Sequence, residues 1–225
     1  MLTKILSHSG LCKRLIDNRP GMAEAVAMRR ILLTGVLLGV AVLTLPAQLG
    51  SVPAGYSTHQ SESYEIAFHY PDQWAVVERD DMLAVVNRSG LVDEVGQDEP
   101  DLQPGDVVVV LGVLPSMLMT MMGIPADDVG ALADGMFENM LAESNELANA
   151  ESGVSSYGGT EVASVVFDDP SEEVSGMVMV AREQEEVVVF SVALGFREDL
   201  RSEREALGRI VASTEYTGDI QGLMQ

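Results

Sequence analysis

Three apolar runs near the C-terminal end constrain the fold of this chain more than any other feature. Residues 161–167, 174–182 and 187–196 are rich in Val, Met and Phe, and only 168–173, with its turn at Asp168-Asp169-Pro170, and 183–186 separate them. Connections that short cannot carry a crossover, so neighbouring runs must pair antiparallel. In the second and third runs both alternation sets are apolar. Met177 and Met179 stand against Val178 and Val180, and Val189 stands against Val188, Phe190, Val192 and Leu194. A strand with two apolar faces needs cover on both, which predicts a central position and helices packed on the sheet.

The sequence supplies those helices. Over 126–148, Val129, Leu132, Ala133, Met136, Phe137, Met140, Leu141, Leu147 and Ala148 recur at three- and four-residue spacing, with Asp134, Glu138, Glu143 and Glu146 off the stripe. Pro125 precedes the first turn, and Asp127 and Asp128 face the positive end of the helix dipole. A closing helix over 200–213 offers Leu200, Leu207, Ile210 and Val211, with Asp199 or Ser202 as N-caps. Between the first helix and the three runs lies the Ser- and Gly-rich stretch 152–159, where Gly158-Gly159 reads as a turn. Upstream, VVVVLGVL at 107–114 is continuous rather than alternating, a further strand covered on both faces. Residues 75–78 and 82–87 form two shorter strands joined at Asp80-Asp81. The stretch 89–106, with Gly90, Gly96, Pro100, Pro104, Gly105 and six carboxylates, is expected to be a solvated loop. Its acidic residues lack the D-x-[DN]-x-[DN]-G spacing that arranges oxygens around one calcium ion.

The folded part is expected to begin with YEIAFHYPDQWAVVER at 64–79. Tyr64, Ile66, Phe68 and Tyr70 alternate as a half-buried strand, Pro71 and Asp72 turn, and Trp74, the only tryptophan, opens a second apolar run. Phe68, Tyr70, Pro71 and Trp74 are the expected structural anchor. Ahead of this unit, Arg29 and Arg30 precede an apolar run of fifteen residues, 31–45, followed by Pro46 and small residues, the layout of a signal peptide or membrane anchor. The division is therefore 1–54 as an N-terminal extension with its export segment, 55–63 as a linker, 64–216 as a single α+β domain, and 217–225 as a tail. Cleavage is placed before Gly55, and translation starts at Met1, Met22 or Met28. The sole cysteine, Cys12, lies upstream of the apolar run, so the exported part has neither disulfide nor thiol chemistry.

The unit F-x-Y-P-x-x-W (Phe68, Tyr70, Pro71, Trp74), a long helix, a three-strand meander and a final helix ending near Ser213 together resemble the Mog1/PsbP-like fold. That group includes PsbP-family photosystem II accessory proteins and many exported bacterial domains. The resemblance implies an α/β/α sandwich and export: a periplasmic, extracellular or outward-facing anchored protein. The His-plus-carboxylate ion site of some photosynthetic members has no counterpart here.

From Gly55 onward the chain holds seven arginines, no lysine and 33 acidic residues, a formal charge of −26. That balance argues against nucleic acid and against electrostatic attachment to anionic lipid, since both require cations opposite phosphate. Catalytic chemistry has few carriers. His59 falls in the expected linker, His69 is expected on the outer face of its strand, and no nucleophile elbow, zinc motif, Walker loop or dinucleotide fingerprint occurs. No cofactor or metal site is therefore assigned, and the expected function is a non-enzymatic binding or accessory module. Its partner would be a protein or small ligand, and it could assist a membrane-associated complex. The alternative is a hydrolase, or a calcium- or copper-handling protein with a site built from scattered carboxylates or methionines. The one pointer to an interaction surface is SMLMTMMGIP, where Met117, Met119, Met121 and Met122 lie between Pro115 and Pro125. The readings open to it are a packed loop, an adaptable apolar surface for a partner or membrane, and thioether ligation of Cu(I).

Overall fold

The computed structural model describes residues 51–80, 82–95, 101–143, 147–169, 174–184 and 186–219. The export segment 31–45, Cys12 and the loop carboxylates Asp98 and Glu99 lie outside the described residues.

A seven-stranded antiparallel sheet forms the middle layer. Its members are β3 (Ala75–Arg79), β4 (Met82–Val86), β5 (Val107–Pro115), β6 (Ala148–Tyr157), β7 (Thr160–Asp169), β8 (Val174–Gln184) and β9 (Val187–Gly195). Their spatial order is β3-β4-β5-β9-β8-β7-β6. The three C-terminal runs are β7, β8 and β9, paired as their short turns demand. Long-range closure is left to β5, whose Val107 to Pro115 pair one for one with Gly195 to Val187 of β9. A second sheet, of order β1-β2-β10, joins β1 (Tyr56–Ser61), β2 (Ile66–Pro71) and β10 (Glu215–Tyr216).

Two cores follow from strand parity. On one face Val109, Leu111, Met177, Met179, Val187 and Val189 pack with Ile66, Phe68 and Trp74. The helices α3 (Arg197–Ser202) and α4 (Arg204–Ala212) join that core through Leu200, Leu207, Ile210 and Val211. On the other face Val165, Phe167, Val178, Val180, Val188 and Leu194 meet Leu132, Met136, Phe137 and Met140 of α2 (Val129–Glu143) and Met119 of α1 (Ser116–Met121). The fold is an α+β sandwich with helices on both faces of an antiparallel sheet. Trp74 is 6% exposed within the first core, and its backbone N–H closes the turn onto the Pro71 carbonyl at 2.9 Å.

Several expectations are corrected. The linker 55–63 holds strand β1, whose six residues pair fully with β2, so Ser, Thr and Gln here lie in a ladder rather than a tether. Helix α2 stops at Glu143, and Leu147 and Ala148 belong to the approach and start of β6. The Ser- and Gly-rich stretch is mostly β6 itself. Only Gly158 and Gly159 turn, both at positive φ, in the two-residue hairpin closed by Tyr157 and Thr160. The closing helix is two helices broken at Glu203, and neither Asp199 nor Ser202 caps them. Asp199 instead accepts the Gly105 backbone N–H at 2.7 Å. His69 is 5% exposed rather than outward-facing, with Nδ1 3.0 Å from Thr58 Oγ1, because β1 covers one edge of β2 and α4 packs on it. Asp106, expected in a solvated loop, is buried beneath Arg88, which donates to both of its oxygens at 2.9 and 2.7 Å.

Candidate functional site

The methionine segment is helical, which its bracketing prolines had concealed. Pro115 ends β5 and also stands at the N-cap of α1 with extended backbone, a position where a missing N–H costs nothing. The helix ends at Met122, whose N–H bonds back to the Leu118 carbonyl at 3.1 Å, and Gly123 follows at φ 79. One turn and a half of helix sorts the four sulfurs. Met119 is fully buried in the α2-side core, Met122 is half-buried against it, and Met117 and Met121 are 57% and 74% exposed. The structure thus brings Met117 and Met121 together on one outward face and takes Met119 away from them. Burial divides the thioethers, Met119 lying in the core and Met117 and Met121 in water.

An open cleft of about 360 Å3 lies between the segment that follows α1 and helix α2, with Met122, Ile124 and Pro125 on one side and Asp134, Glu138 and Asn139 on the other. Asp127, Asp128, Asp134 and Glu138 are exposed, and neither helix carries a basic residue. Asp128 accepts the Ala131 N–H at 2.8 Å as the cap of α2, and Asp134 accepts the Ser152 hydroxyl at 2.7 Å, so both are held in place. Exposed flexible thioethers on one helix and exposed carboxylates on the next, with no cation on either, are the chemistry of an adaptable surface for an apolar segment carrying cations.

Two other places collect polar residues. A larger open cleft, about 520 Å3, is lined by Pro104, Asp168, Ser175, Phe196, Arg197 and Asp199. Its one cation is already engaged. Arg197 Nη1 donates to Asp168 at 2.6 Å and Nη2 donates to the Asn149 carbonyl at 3.0 Å, with Glu151 also 3.0 Å away. Burial pushes the Asp168 carboxyl up, but hydrogen bonds from Asn149, Ser175 and Arg197 and the charge of Arg197 outweigh it and hold the group below its ordinary range. Glu151 is likewise held low, chiefly by hydrogen bonds from Arg201 and then Arg197. This network ties β6, β7 and α3 together.

At the other end, His59 Nε2 lies 3.3 Å from Glu78 Oε2, while Ser61 donates to Glu78 Oε1 at 2.9 Å. The residue types are those of a catalytic triad but the order is wrong, since the carboxylate, not the imidazole, contacts the hydroxyl. Ser61 is also buried and accepts the Tyr64 N–H at 3.1 Å. Burial pushes Glu78 up, and hydrogen bonds from Ser61, Ser63 and His59 more than reverse it. The contact clips β1 to β3. Among the described residues no group of three or more His, Cys, Asp or Glu is placed to hold a metal ion. Nor is any described helix long and apolar enough to cross a membrane.

The methionines single out α1 in the sequence, but which of them face outward is not legible there, because the segment between two prolines reads as a loop. The carboxylates of α2 are legible as its polar stripe, but the cleft that Asp134 and Glu138 share with Met122 is not.

No protein-family model matches the chain, and no curated protein does. Solved structures of similar fold include cyanobacterial PsbP (CyanoP) from Synechocystis sp. PCC 6803, at 14% identity and TM-score 0.40, covering 74% of this chain and 95% of that one. LpqN, involved in cell envelope biogenesis of Mycobacterium tuberculosis, is 13% identical at TM-score 0.37, covering 71% and 83%. A protein from Bacteroides thetaiotaomicron is 12% identical at TM-score 0.39, covering 73% of this chain and 50% of its own. These are likenesses of fold, and a PsbP, the family that the Phe68-Tyr70-Pro71-Trp74 unit resembles, is among them.

Proposed function

We propose that this chain is an exported, non-enzymatic binding module that docks an apolar, cation-bearing segment of a membrane-associated protein on the α1–α2 surface. The observation that carries the reading is the exposure of Met117 and Met121 on α1, in a pair of helices that presents the exposed carboxylates Asp134 and Glu138 and no basic residue. Covering Met117 and Met121 removes their apolar area from water, and the exposed carboxylates of α2 favour a partner of opposite charge. Export rests on Arg29, Arg30 and the apolar run 31–45.

A Leu/Lys amphipathic peptide is a suitable probe, titrated into the full chain and followed by the peptide's fluorescence anisotropy. Binding is expected to weaken as salt rises and to weaken by about tenfold in the double variant Met117→Gln/Met121→Gln. A chain this acidic attracts any cation, so the variant is the deciding arm. Equal affinity for both proteins would remove the α1 surface from the proposal.

A further inference from the structure

Among the described residues, four large apolar side chains stand at least half exposed: Val52, Met117, Met121 and Val154. Val154 belongs to neither the methionine surface nor a terminus. It is 54% exposed in the second half of β6, the last strand of the seven-stranded sheet. One edge of β6 pairs with β7, and among the described residues no strand pairs with the other. Open edges invite pairing with another chain, and proteins that avoid it use short strands, charges, prolines or bulges.

Such guards are unevenly placed here. The first residues of β6 carry them: Asn149 at φ 53, a register irregularity between Ala148 and Glu151, and Glu151 engaged by Arg197 and Arg201. The remaining six residues, 152–157, read SGVSSY, pair regularly with β7, and contain no charge and no proline. The opposite edge of the sheet differs. There β3 is five residues long, ends in Glu78 and Arg79, and has Glu78 clipped by His59 and Ser61 of β1.

We propose that 152–157 is a self-pairing edge, at which β6 of two copies join antiparallel about a two-fold axis midway between Val154 and its copy. Symmetry restricts the register. A two-fold axis normal to the sheet keeps each residue on its own face, and residues directly opposite share a face, so opposed positions must have the same parity. The axis therefore lies level with one residue, midway between it and its own copy, rather than between two successive residues. Placed at Val154, it sets Val154 against its own copy, Gly153 against Ser155, Ser152 against Ser156, and Glu151 against Tyr157 of the second copy. No carboxylate then faces a carboxylate across the junction, which is the charge condition two copies of so acidic a chain must meet. Val154 lies on the α2 side, close to Gly130, whose missing side chain leaves it uncovered. The pair would bury that valine and supply partners for the open backbone groups, a contact at the small end of specific interfaces. Each copy carries −26 from Gly55 onward, so repulsion opposes the dimer and added salt tightens it. That is opposite to the salt response of a cationic segment on the methionine surface, and the two proposals stand or fall separately.

Sedimentation velocity of the full chain over a concentration series, at low and high salt, tests this together with Val154→Lys and Val154→Glu. The side chain is exposed, so both variants should fold, as thermal melts will check. A reversible dimer is expected for the parent, tighter at high salt. Each variant alone sets like charges on the axis and weakens it by about tenfold or more, while an equal mixture of the two recovers dimer by opposing Lys to Glu. A parent that stays monomeric throughout, or a dimer indifferent to both substitutions, overturns the proposal.

Discussion

Met117 and Met121 stand one helical turn apart on α1 and are both more than half exposed, whereas Met119 between them is fully buried. Thioether oxidation follows access, so the contrast can be read chemically. Brief exposure to dilute hydrogen peroxide is expected to convert Met117 and Met121 to sulfoxides and to spare Met119, as peptide mass spectrometry would record. Equal oxidation of Met119 would mean that α1 does not hold this register on the α2-side core.

Trp74 offers a sharper stability test. Its ring is 6% exposed and packs with Ile66, Phe68 and Leu83, where the small sheet meets the large one. Removing it leaves a cavity that neither sheet can close alone. Trp74→Ala is expected to lower stability by about 3–5 kcal/mol. A melting temperature that does not move would place the junction between the sheets elsewhere.

Much of this fold was legible because local pattern and tertiary demand agreed. The doubly apolar runs of β8 and β9 required central positions, and the stripe from Val129 to Met140 required a helix over them. What was not legible has a common physical form. β1 and β6 are polar, small-residue strands that bury little, so neither shows a strong period-two pattern, and their pairing is decided by neighbours distant in sequence. The same holds for Asp106, whose burial depends on Arg88, and for His69, whose cover comes from Thr58 and Ser213. Of the candidate site, the methionines were visible, but their division into buried and exposed members waited on the helix.

Two cross-strand pairs explain why glycine interrupts the apolar strands. Gly112 lies opposite Phe190, and Gly176 opposite Phe167, and in each case a Cβ on the glycine would collide with the ring. The aromatic ring occupies the space the absent side chain leaves. Gly176→Ala must shift Phe167, itself fully buried against Phe137 with ring centroids 5.1 Å apart. A loss of about 1–3 kcal/mol in denaturant unfolding is expected. No change would show that Phe167 has another rotamer available at no cost.

Asp168 supplies the pH prediction. It accepts from Arg197 at 2.6 Å, Ser175 at 2.8 Å and Asn149 at 2.9 Å, and its folded pKa is lowered from the ordinary 3.8 because these bonds and the arginine charge outweigh burial. A carboxylate whose pKa is lowered on folding binds fewer protons folded than unfolded in that range. Its stabilisation is therefore fully present above the unfolded value of 3.8 and is lost as pH falls through the lower folded value. Asp168→Asn removes the nearer of the two carboxylate charges that Arg197 meets, Glu151 being the other, and should destabilise the protein at neutral pH. The gap between parent and variant should then close as the medium is acidified below pH 3.8. Removing one carboxylate also relieves general repulsion in so acidic a chain, and high salt suppresses that long-range effect more than it weakens the half-buried pair. Paired urea unfolding curves in high salt, from neutral to acid pH, measure the difference directly. A gap of constant size down to the lowest pH would mean that the bonds at Asp168 do not depend on its charge.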